Sequence, residues 1–206
     1  MPDCYVSYSH TWKRLLDLLV VLMAVVLISP VLLLIAMLIM IAGNGPVFFC
    51  QERIGMNYQP FILYKFRTMS IGVSSAGPAL TVKGDARIIP IGRLLRKTKL
   101  DELPQLFNVL KGDMSLVGPR PEVAQYVEMF KEDYKTVLTV RPGITDYAAI
   151  EYRNEEAILA RYSNPQEAYV KEVLPAKIAL YKKYIAEQSF LTDFKIIFST
   201  LGKLVS

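Results

Sequence analysis

The sequence predicts an α/β fold that is mostly helical, in which a membrane-inserted N-terminal helix precedes a compact cytosolic domain with a small β element. Two observations support this prediction. Residues 18–42 form an apolar run of 25 residues without a charged side chain, which is long enough for the hydrocarbon core of a bilayer. The rest of the 206-residue chain has the charge and turn content of one globular domain.

The apolar run contains a pair of residues, Ser29-Pro30, that disfavours a regular helix. Proline lacks an N–H and its ring clashes with the carbonyl of the preceding turn, so we expect a kink here. Two topologies follow: a kinked helix that crosses the membrane, or a helix that turns back so that both ends emerge on one side. Kinked spans are common. Basic residues on both sides of the run, including Lys13-Arg14, favour re-entry by the positive-inside rule.

The elements of the domain follow from turn residues and apolar periodicity. A Gly-Asn-Gly-Pro turn divides the chain into 1–45, the leader and membrane helix, and 46–206, the domain. Short β-strands are predicted at 47–51 and 60–69. Apolar repeats predict helices at 90–99, 101–112, 123–135, 154–162, 168–185 and 189–205. The first and last of these helices are amphipathic. The first is also basic, which is typical of a helix at a membrane surface.

Composition limits the chemistry. The net charge is +5, and next to a membrane segment this excess is better explained by anionic lipids and a polyanionic substrate than by nucleic acid. Cys4 and Cys50 lack metal-ligand spacing. His10 is the only histidine, so a histidine-based triad and a multi-histidine metal site are excluded, and catalysis must use carboxylates, Lys, Arg, Tyr or Ser.

Asp101 and Glu102 are adjacent carboxylates that follow a basic segment at a predicted helix start. Capping that helix is one role for Asp101, although Pro104 would then stand at the third helical position without an N–H to donate. The cations and the positive helix end are expected to keep Asp101 ionised. An ionised carboxylate can act as a nucleophile or a metal ligand. The residues alone leave the cap and the catalytic role equally open.

Four basic residues are candidates for binding phosphate. Lys65 and Arg67 are two residues apart, so a strand would place them on one face. Pro119 and Pro121 restrict the backbone around Arg120, whose planar guanidinium suits a phosphate or a carboxylate. Arg141, before Pro142-Gly143, repeats this pattern more weakly. The alternatives are a solvated strand face and rigid surface turns. The chain has no glycine-rich phosphate loop.

Longer segments add a specific signal. They are Gln51-Glu52-Arg53-Ile54-Gly55, Tyr64-Lys65-Phe66-Arg67-Thr68-Met69, Ile91-Gly92-Arg93-Leu94-Leu95-Arg96, Leu100-Asp101-Glu102-Leu103-Pro104-Gln105-Leu106, the run from Gly112 to Pro121, Arg141-Pro142-Gly143-Ile144-Thr145 and Ser189-Phe190-Leu191-Thr192-Asp193. With these segments and the Ser29-Pro30 pair, the chain resembles the small monotopic phosphoglycosyltransferases, which are bacterial sugar transferases. The resemblance extends from Lys13 nearly to the C-terminus.

The resemblance implies a reaction and roles for residues. Such enzymes move a sugar-1-phosphate from a UDP-sugar to polyprenol (undecaprenyl) phosphate and release UMP, in the first membrane step of surface glycan assembly. Asp101 would be the nucleophile that forms a covalent phosphosugar intermediate and would bind Mg²⁺, with Glu102 assisting. The implied substrate-binding residues are Lys65, Arg67, Arg96, Pro119, Arg120, Pro121 and Arg141.

The resemblance also implies a location. The membrane helix would be re-entrant with its bend at Ser29-Pro30, which places the protein on the cytoplasmic face of the bacterial inner membrane. Membrane lipids would be partners, and a homodimer is left open. A non-catalytic membrane adaptor that keeps the fold is the alternative function.

The sequence departs from the family pattern near the sugar-recognition region. Many members continue Gly-Ile-Thr with Gly, where this chain has Asp146, and some carry an Asp where Tyr181 stands. Asp146 or Glu151 is a candidate to replace that carboxylate. These departures leave the identity of the sugar and of the glycan open.

Overall fold

The computed structural model describes residues 11–42, 45–70, 85 and 87–205. Apart from Thr11 and Trp12, the predicted leader lies outside the described residues, as do Cys4 and His10. The prediction of a mostly helical fold with a long apolar N-terminal helix and a small β element is confirmed.

Helices dominate the described part of the chain. They are α1 (Lys13–Ile41), α2 (Pro90–Thr98), α3 (Gln105–Lys111), α4 (Ala124–Met129), α5 (Lys131–Val137), α6 (Tyr147–Glu151), α7 (Glu155–Leu159), α8 (Pro165–Ala168), α9 (Leu174–Glu187) and α10 (Phe190–Val205). Short 3₁₀ turns lie at Met56–Tyr58 and Leu100–Glu102, and a π-helical turn at Tyr169–Val173 joins α8 to α9.

Two small sheets complete the fold. Strands β1 (Phe48–Ile54) and β2 (Pro60–Phe66) form an antiparallel hairpin in which Phe48 faces Phe66. Strands β3 (Ser115–Val117) and β4 (Gly143–Thr145) pair in parallel. The sequence indicated β1 and β2, but β3 and β4 were missed because three residues are too few for a visible alternation.

Ser29-Pro30 was predicted to break the helix, but α1 remains helical through this pair. Pro30 has no N–H for the carbonyl of Val26, its partner four residues earlier. The Ser29 hydroxyl donates to that carbonyl at 2.8 Å. Ser29 therefore replaces the hydrogen bond that Pro30 cannot make, and the helix persists.

Helix α1 packs against the domain through one narrow face along both of its halves. In its first half, Val21 packs with Leu63, Leu106, Val109 and Met114. In its second half, Ile35 and Ile39 pack with Phe66 and Leu95. Among the described residues, α1 is the one helix long and apolar enough to cross a membrane.

The opposite side of α1 is apolar and exposed. The exposed large side chains of this helix are Leu15, Leu16, Leu19, Val20, Leu22, Met23, Val26, Leu27, Val31, Leu33, Leu34, Met37, Leu38, Met40 and Ile41. An apolar surface of this extent is unusual on a soluble monomer and marks a site of membrane or protein contact.

The C-terminal helix α10 is amphipathic, as its sequence predicted. Ile196 is buried against Val117 and Tyr184. Phe190, Phe194 and Phe198 are exposed and stack on one another, with ring centroids 6.0 and 4.4 Å apart. A second apolar surface therefore accompanies that of α1.

The other differences from the predicted elements have local causes. The predicted helix 123–135 is divided at Phe130, whose backbone leaves the helical region (φ −116°, ψ 37°). The helix predicted from residue 101 begins instead at Gln105, after a separate 3₁₀ turn. Pro104 explains this delay, since proline is tolerated at the start of a helix but not within it.

Candidate active site

The Asp101 carboxylate lies in the 3₁₀ turn between α2 and α3 and is 8% exposed. Lys99 ends α2 in the left-handed conformation (φ 59°), which turns the chain into this segment. Asp101 does not cap α3, because that helix follows Pro104 and has no side-chain cap. Its Oδ1 atom has no hydrogen-bond partner within the described ranges. The capping role left open by the sequence is therefore not observed.

The neighbouring carboxylate, Glu102, is fully engaged by cations. Lys65 Nζ lies 3.0 Å from Glu102 Oε1. The Arg120 guanidinium donates to both carboxylate oxygens, with Nη1 3.1 Å from Oε2 and Nη2 bonded to Oε1. Burial by itself would raise the pKa of Glu102, but Arg120 and Lys65 outweigh it and hold the pKa well below its usual range.

The two adjacent carboxylates differ in their ionisation. Burial raises the pKa of Asp101 to about 6, and the charge of Glu102 adds to this effect. Lys65, Lys99 and Arg96 oppose the shift without reversing it. The sequence predicted that the surrounding cations keep Asp101 ionised. Burial raises its pKa above the ordinary value, but a pKa of about 6 still leaves the carboxylate mostly ionised at neutral pH. Asp101 is thus an ionisable carboxylate with one oxygen that has no partner among the described residues, beside a carboxylate whose pKa is held low.

Arg120 is held in place by its backbone. Adding a Cβ to Gly143 would bring that atom within 2.1 Å of Gly118 N, so the chain segments of β3 and β4 approach more closely than any side chain allows. Gly143 N donates to Pro119 O at 2.9 Å, and Arg120 N donates to Asp146 Oδ2 at 2.9 Å. These contacts fix the loop that presents the guanidinium to Glu102.

Arg96 reaches the site from α2. A Cβ on Gly92 would lie 2.3 Å from Thr68 O, so only glycine lets α2 lie this close to the chain after β2. Arg96 Nε then donates to Thr68 Oγ1 at 2.9 Å, and Nη1 contacts Glu156 of α7 at 2.8 Å. The charge of Arg96 also acts on Asp101, so the predicted group Lys65, Arg96 and Arg120 converges around the carboxylate pair.

Two other arginines predicted to bind substrate have different described contacts. Arg67 Nη2 donates to Ile39 O in the last turn of α1 at 3.3 Å. Arg141 Nε donates to Gly112 O, at the C-terminal end of α3, at 3.0 Å. Cations at helix C-termini satisfy free carbonyl groups and complement the helix dipole. These contacts place both side chains at helix ends.

Sequence patterns did not identify Lys99 or Glu156 as parts of this site, and they suggested a different role for Asp146. The left-handed conformation of Lys99 has no sequence signal. Glu156 gave only the pattern of an ordinary acidic helix start. Asp146 stands one residue before α6 and accepts from Ala149 N at 2.6 Å. An aspartate before a short apolar stretch is the usual capping signal, and it would have found this role.

The two carboxylates proposed to stand in for the family residue at Tyr181 differ in location. Tyr181 is fully buried, and its hydroxyl has no partner in the described part of the chain. Burial and then the charge of Asp146 raise the pKa of Tyr181, so Asp146 lies in its surroundings. Glu151 is exposed on α6.

Asp101 fits Mg²⁺ only if the ion is bound at the same time by other groups, such as substrate phosphates. No group of three or more metal-ligating side chains occurs among residues 11–42, 45–70, 85 and 87–205. Magnesium commonly binds one or two carboxylates together with substrate phosphates and water. The unpartnered Oδ1 of Asp101 fits such an ion arriving with a phosphorylated substrate.

An exposed apolar helix beside a cation-rich carboxylate site is the combination expected of a membrane-associated enzyme that handles phosphorylated compounds. Residues 8–206 match the sequence model of the bacterial sugar transferase family. The chain belongs to this family.

This chain spans about a third to two fifths of the length of the first curated relatives that it matches. It is 43% identical over 141 residues to a UDP-N-acetylgalactosamine-undecaprenyl-phosphate N-acetylgalactosaminephosphotransferase of Aeromonas hydrophila, covering 67% of this chain and 33% of that protein. It is 38% identical over 199 residues to a UDP-glucose:undecaprenyl-phosphate glucose-1-phosphate transferase of Klebsiella pneumoniae, covering 95% of this chain and 40% of that protein. The enzyme of the same name from Escherichia coli K12 is 36% identical, with 93% and 39% covered.

Proposed function

We propose that this protein transfers a sugar-1-phosphate from a UDP-sugar to polyprenol phosphate, giving polyprenyl-diphosphate-sugar and UMP. The observation that supports this most directly is the buried Asp101 carboxylate, which has an unpartnered oxygen and is surrounded by Lys65, Arg96 and Lys99. Family membership and the printed names of the relatives agree with this reaction.

The reaction proceeds in two displacements at one phosphorus atom. In the first, a carboxylate oxygen of Asp101 attacks the β-phosphorus of the donor, and the bond from that phosphorus to the bridging oxygen breaks with its electron pair leaving on UMP. In the second, a phosphate oxygen of the polyprenol phosphate attacks the same phosphorus and releases the Asp101 carboxylate. A covalent intermediate divides one difficult step into two easier ones.

The cations lower the barrier for an anion attacking a dianionic diphosphate. Lys65, Arg96 and Arg120 are positioned to offset phosphate charge, and fixed charges in a partly buried site cost little reorganisation. Glu102, held between Lys65 and Arg120, orients both side chains. Mg²⁺ bound by Asp101 and the donor phosphates would add further charge compensation.

We also propose that α1 enters the membrane without crossing it, and that the domain lies on the cytoplasmic face. Both halves of α1 are tied to the same domain. Near its start, Ser115 Oγ donates to Asp17 Oδ2 at 2.7 Å, and near its end Arg67 donates to Ile39 O. A crossing helix has its two ends about 30 Å apart on opposite sides of the bilayer, where one compact domain cannot contact both.

The decisive experiment is a trap of the covalent intermediate. The purified protein is incubated with Mg²⁺ and a panel of UDP-sugars labelled with ³²P in the β-phosphate, including UDP-glucose and UDP-N-acetylgalactosamine, without acceptor. We expect one donor to release UMP in a single burst and to leave label on a peptide containing Asp101. Turnover with acceptor but no labelled protein under any condition would contradict the covalent route.

Asp101→Asn provides the matched variant. It should abolish both UMP release and labelling while the melting temperature stays at or above that of the wild type, since a neutral amide replaces a buried charge. Asp133→Asn, on the surface of α5, is the control and should retain full activity. Unaltered UMP release by Asp101→Asn would exclude this nucleophile. Absence of transfer by the wild type with every donor would favour the membrane adaptor.

The topology is tested by cysteine labelling in intact cells. Single cysteines replace Thr11, before α1, or Ser70, after β2, in a variant without Cys4 and Cys50. We expect both positions to react only after the inner membrane is made permeable. Labelling of Thr11→Cys from the periplasm would instead show that the helix crosses the membrane.

A further inference from the structure

Asp146 is a buried carboxylate whose contacts join the active-site loop, residues 119–121, to helix α6. It is fully buried, and each of its oxygens accepts one backbone hydrogen bond. Oδ1 accepts from Ala149 N at 2.6 Å, and Oδ2 accepts from Arg120 N at 2.9 Å. The first contact caps α6, whereas the second leads directly to an arginine of the catalytic cluster.

The hydrogen bond from the Arg120 amide to Asp146 uses the only backbone N–H of the 119–121 loop. Arg120 stands between Pro119 and Pro121, neither of which has an N–H. The amide of Arg120 is therefore the one backbone donor of this tripeptide, and it is given to Asp146. The loop also accepts two hydrogen bonds, from Gly143 N at Pro119 O (2.9 Å) and from Arg53 Nη1 at Pro121 O (3.2 Å).

We propose that Asp146 is a positioning residue for phosphosugar transfer, which acts through the backbone of Arg120 to set the guanidinium on Glu102. This inference rests on the proposed function, because its consequence is measured as catalysis. Asp146 does not touch substrate in this assignment. A small displacement of Arg120 would alter the group that neutralises diphosphate charge, and misplacement of about 1 Å can cost roughly 100-fold in rate.

The alternative is that Asp146 is only a helix cap, and three variants separate the two roles. Asp146→Ser keeps a capping oxygen but cannot serve both amides. Asp146→Asn keeps the shape with a single acceptor oxygen. Asp146→Ala loses both hydrogen bonds. Asn164→Ala is the matched control, because Asn164 caps α8 in the same way, accepting from Glu167 N at 3.2 Å, without a contact to Arg120.

The first measurement does not depend on catalysis. Amide hydrogen exchange is followed by mass spectrometry on overlapping peptides across residues 115–123 of the detergent-solubilised protein. In Asp146→Ser, the Arg120 amide should lose protection while the Gly118 amide, bonded to Thr145 O at 3.0 Å, keeps it. An unchanged Arg120 amide would overturn the proposed link.

The second measurement determines kcat and KM for the donor in the UMP-release assay. We expect Asp146→Ser to keep a melting temperature close to that of the wild type and to lose about 10- to 100-fold in kcat/KM. Asn164→Ala should change kcat/KM less than about twofold. Loss of activity that follows melting temperature across all four variants would mean a purely structural role and would overturn the inference.

Failure of the inference and failure of the proposed function give different results. If the wild type transfers phosphosugar and Asp146→Ser does so equally well, the positioning role is wrong and the function stands. If the wild type releases no UMP with any donor, the proposed function is wrong, and with it the role assigned to Asp146.

Discussion

Arg120 and Glu102 form a two-point ion pair in which both nitrogens of the guanidinium fork meet both oxygens of the carboxylate. The partners are 18 residues apart in the chain and come from different loops. Such bidentate pairs have a specific geometry, and a single ammonium group cannot reproduce it. The pair therefore sets both the direction of Arg120 and the charge beside Asp101.

Replacing Arg120 by Lys tests the fork. Arg120→Lys keeps the charge but can make only one of the two contacts, and a charge-assisted hydrogen bond contributes about 1.5–3 kcal/mol. We expect kcat/KM for the UDP-sugar to fall roughly 10- to 100-fold, measured by UMP release. Arg161→Lys, on the exposed side of the domain, is the control. Equal kinetics of the two variants would show that the fork is not used.

Removing Glu102 should destabilise the protein, in contrast with Asp101. Glu102→Gln leaves Lys65 and Arg120 with an uncompensated charge in a partly buried site. Breaking a buried pair usually costs about 3–5 kcal/mol, and the 13% exposure of the Glu102 side chain places the expected loss at roughly 2–4 kcal/mol. Denaturant unfolding in detergent measures this loss. A free energy of unfolding equal to that of Asp101→Asn would contradict the ion-pair assignment.

The pKa of Asp101 predicts an acidic limb in the rate of the first displacement. In the proposed mechanism only the ionised carboxylate attacks, and its pKa is raised to about 6 by burial and by Glu102. The single-turnover rate should be constant above pH 7 and should fall about tenfold per pH unit below pH 5.

Lys99→Gln tests the direction in which this pH dependence shifts. Lys99 lowers the pKa of Asp101, so its removal should raise that pKa and move the limb to higher pH. Lys97→Gln, an exposed change near the end of the same helix, should leave the limb where it is. A limb that moves equally in both variants, or that is absent in the wild type, would refute the assignment of this pKa to the nucleophile.

The Ser29 hydroxyl should matter only because Pro30 is present. Ser29→Ala leaves the Val26 carbonyl without its donor, and we expect a loss of about 1 kcal/mol in the stability of α1. Ser29→Ala combined with Pro30→Ala restores the backbone N–H and should recover the loss. Thermal unfolding in lipid nanodiscs measures both, with Ser29→Thr as the control that keeps the hydroxyl. A Ser29→Ala protein as stable as the wild type would mean that this hydrogen bond contributes nothing.

Most of the helices could be predicted because their apolar residues recur at helical spacing. Strands β3 and β4 could not, since each consists of three residues whose partner lies far along the chain. Asn108 illustrates the same limit. It is buried in α3, accepts from Tyr64 N at 3.1 Å and donates to Ile62 O at 2.7 Å. It therefore completes the edge of β2, and nothing in the local sequence indicates that role.

In the candidate site, too, the sequence indicated some features and not others. Asp101 and Glu102 stood out in the sequence because they are adjacent, Arg120 because it lies between prolines, and Lys65 because of its spacing from Arg67. Arg96 was assigned only through the resemblance, and the contacts among these residues were not predicted. Arg67 and Arg141 looked equally suitable, yet their described contacts are with helix carbonyl groups. Residue type and spacing do not show which cations meet the carboxylate pair and which contact helix carbonyl groups.

The amino-acid sequence by itself determined the local features of this protein: the apolar N-terminal helix, the amphipathic helices and the adjacent carboxylates. These depend on periodicity and on neighbouring residues. Only the tertiary structure decided which cations meet Glu102, that Asp146 holds the backbone of Arg120, and that the pKa of Asp101 is raised. Burial and charge act through distances in space, and the chain brings those distances about only when it folds.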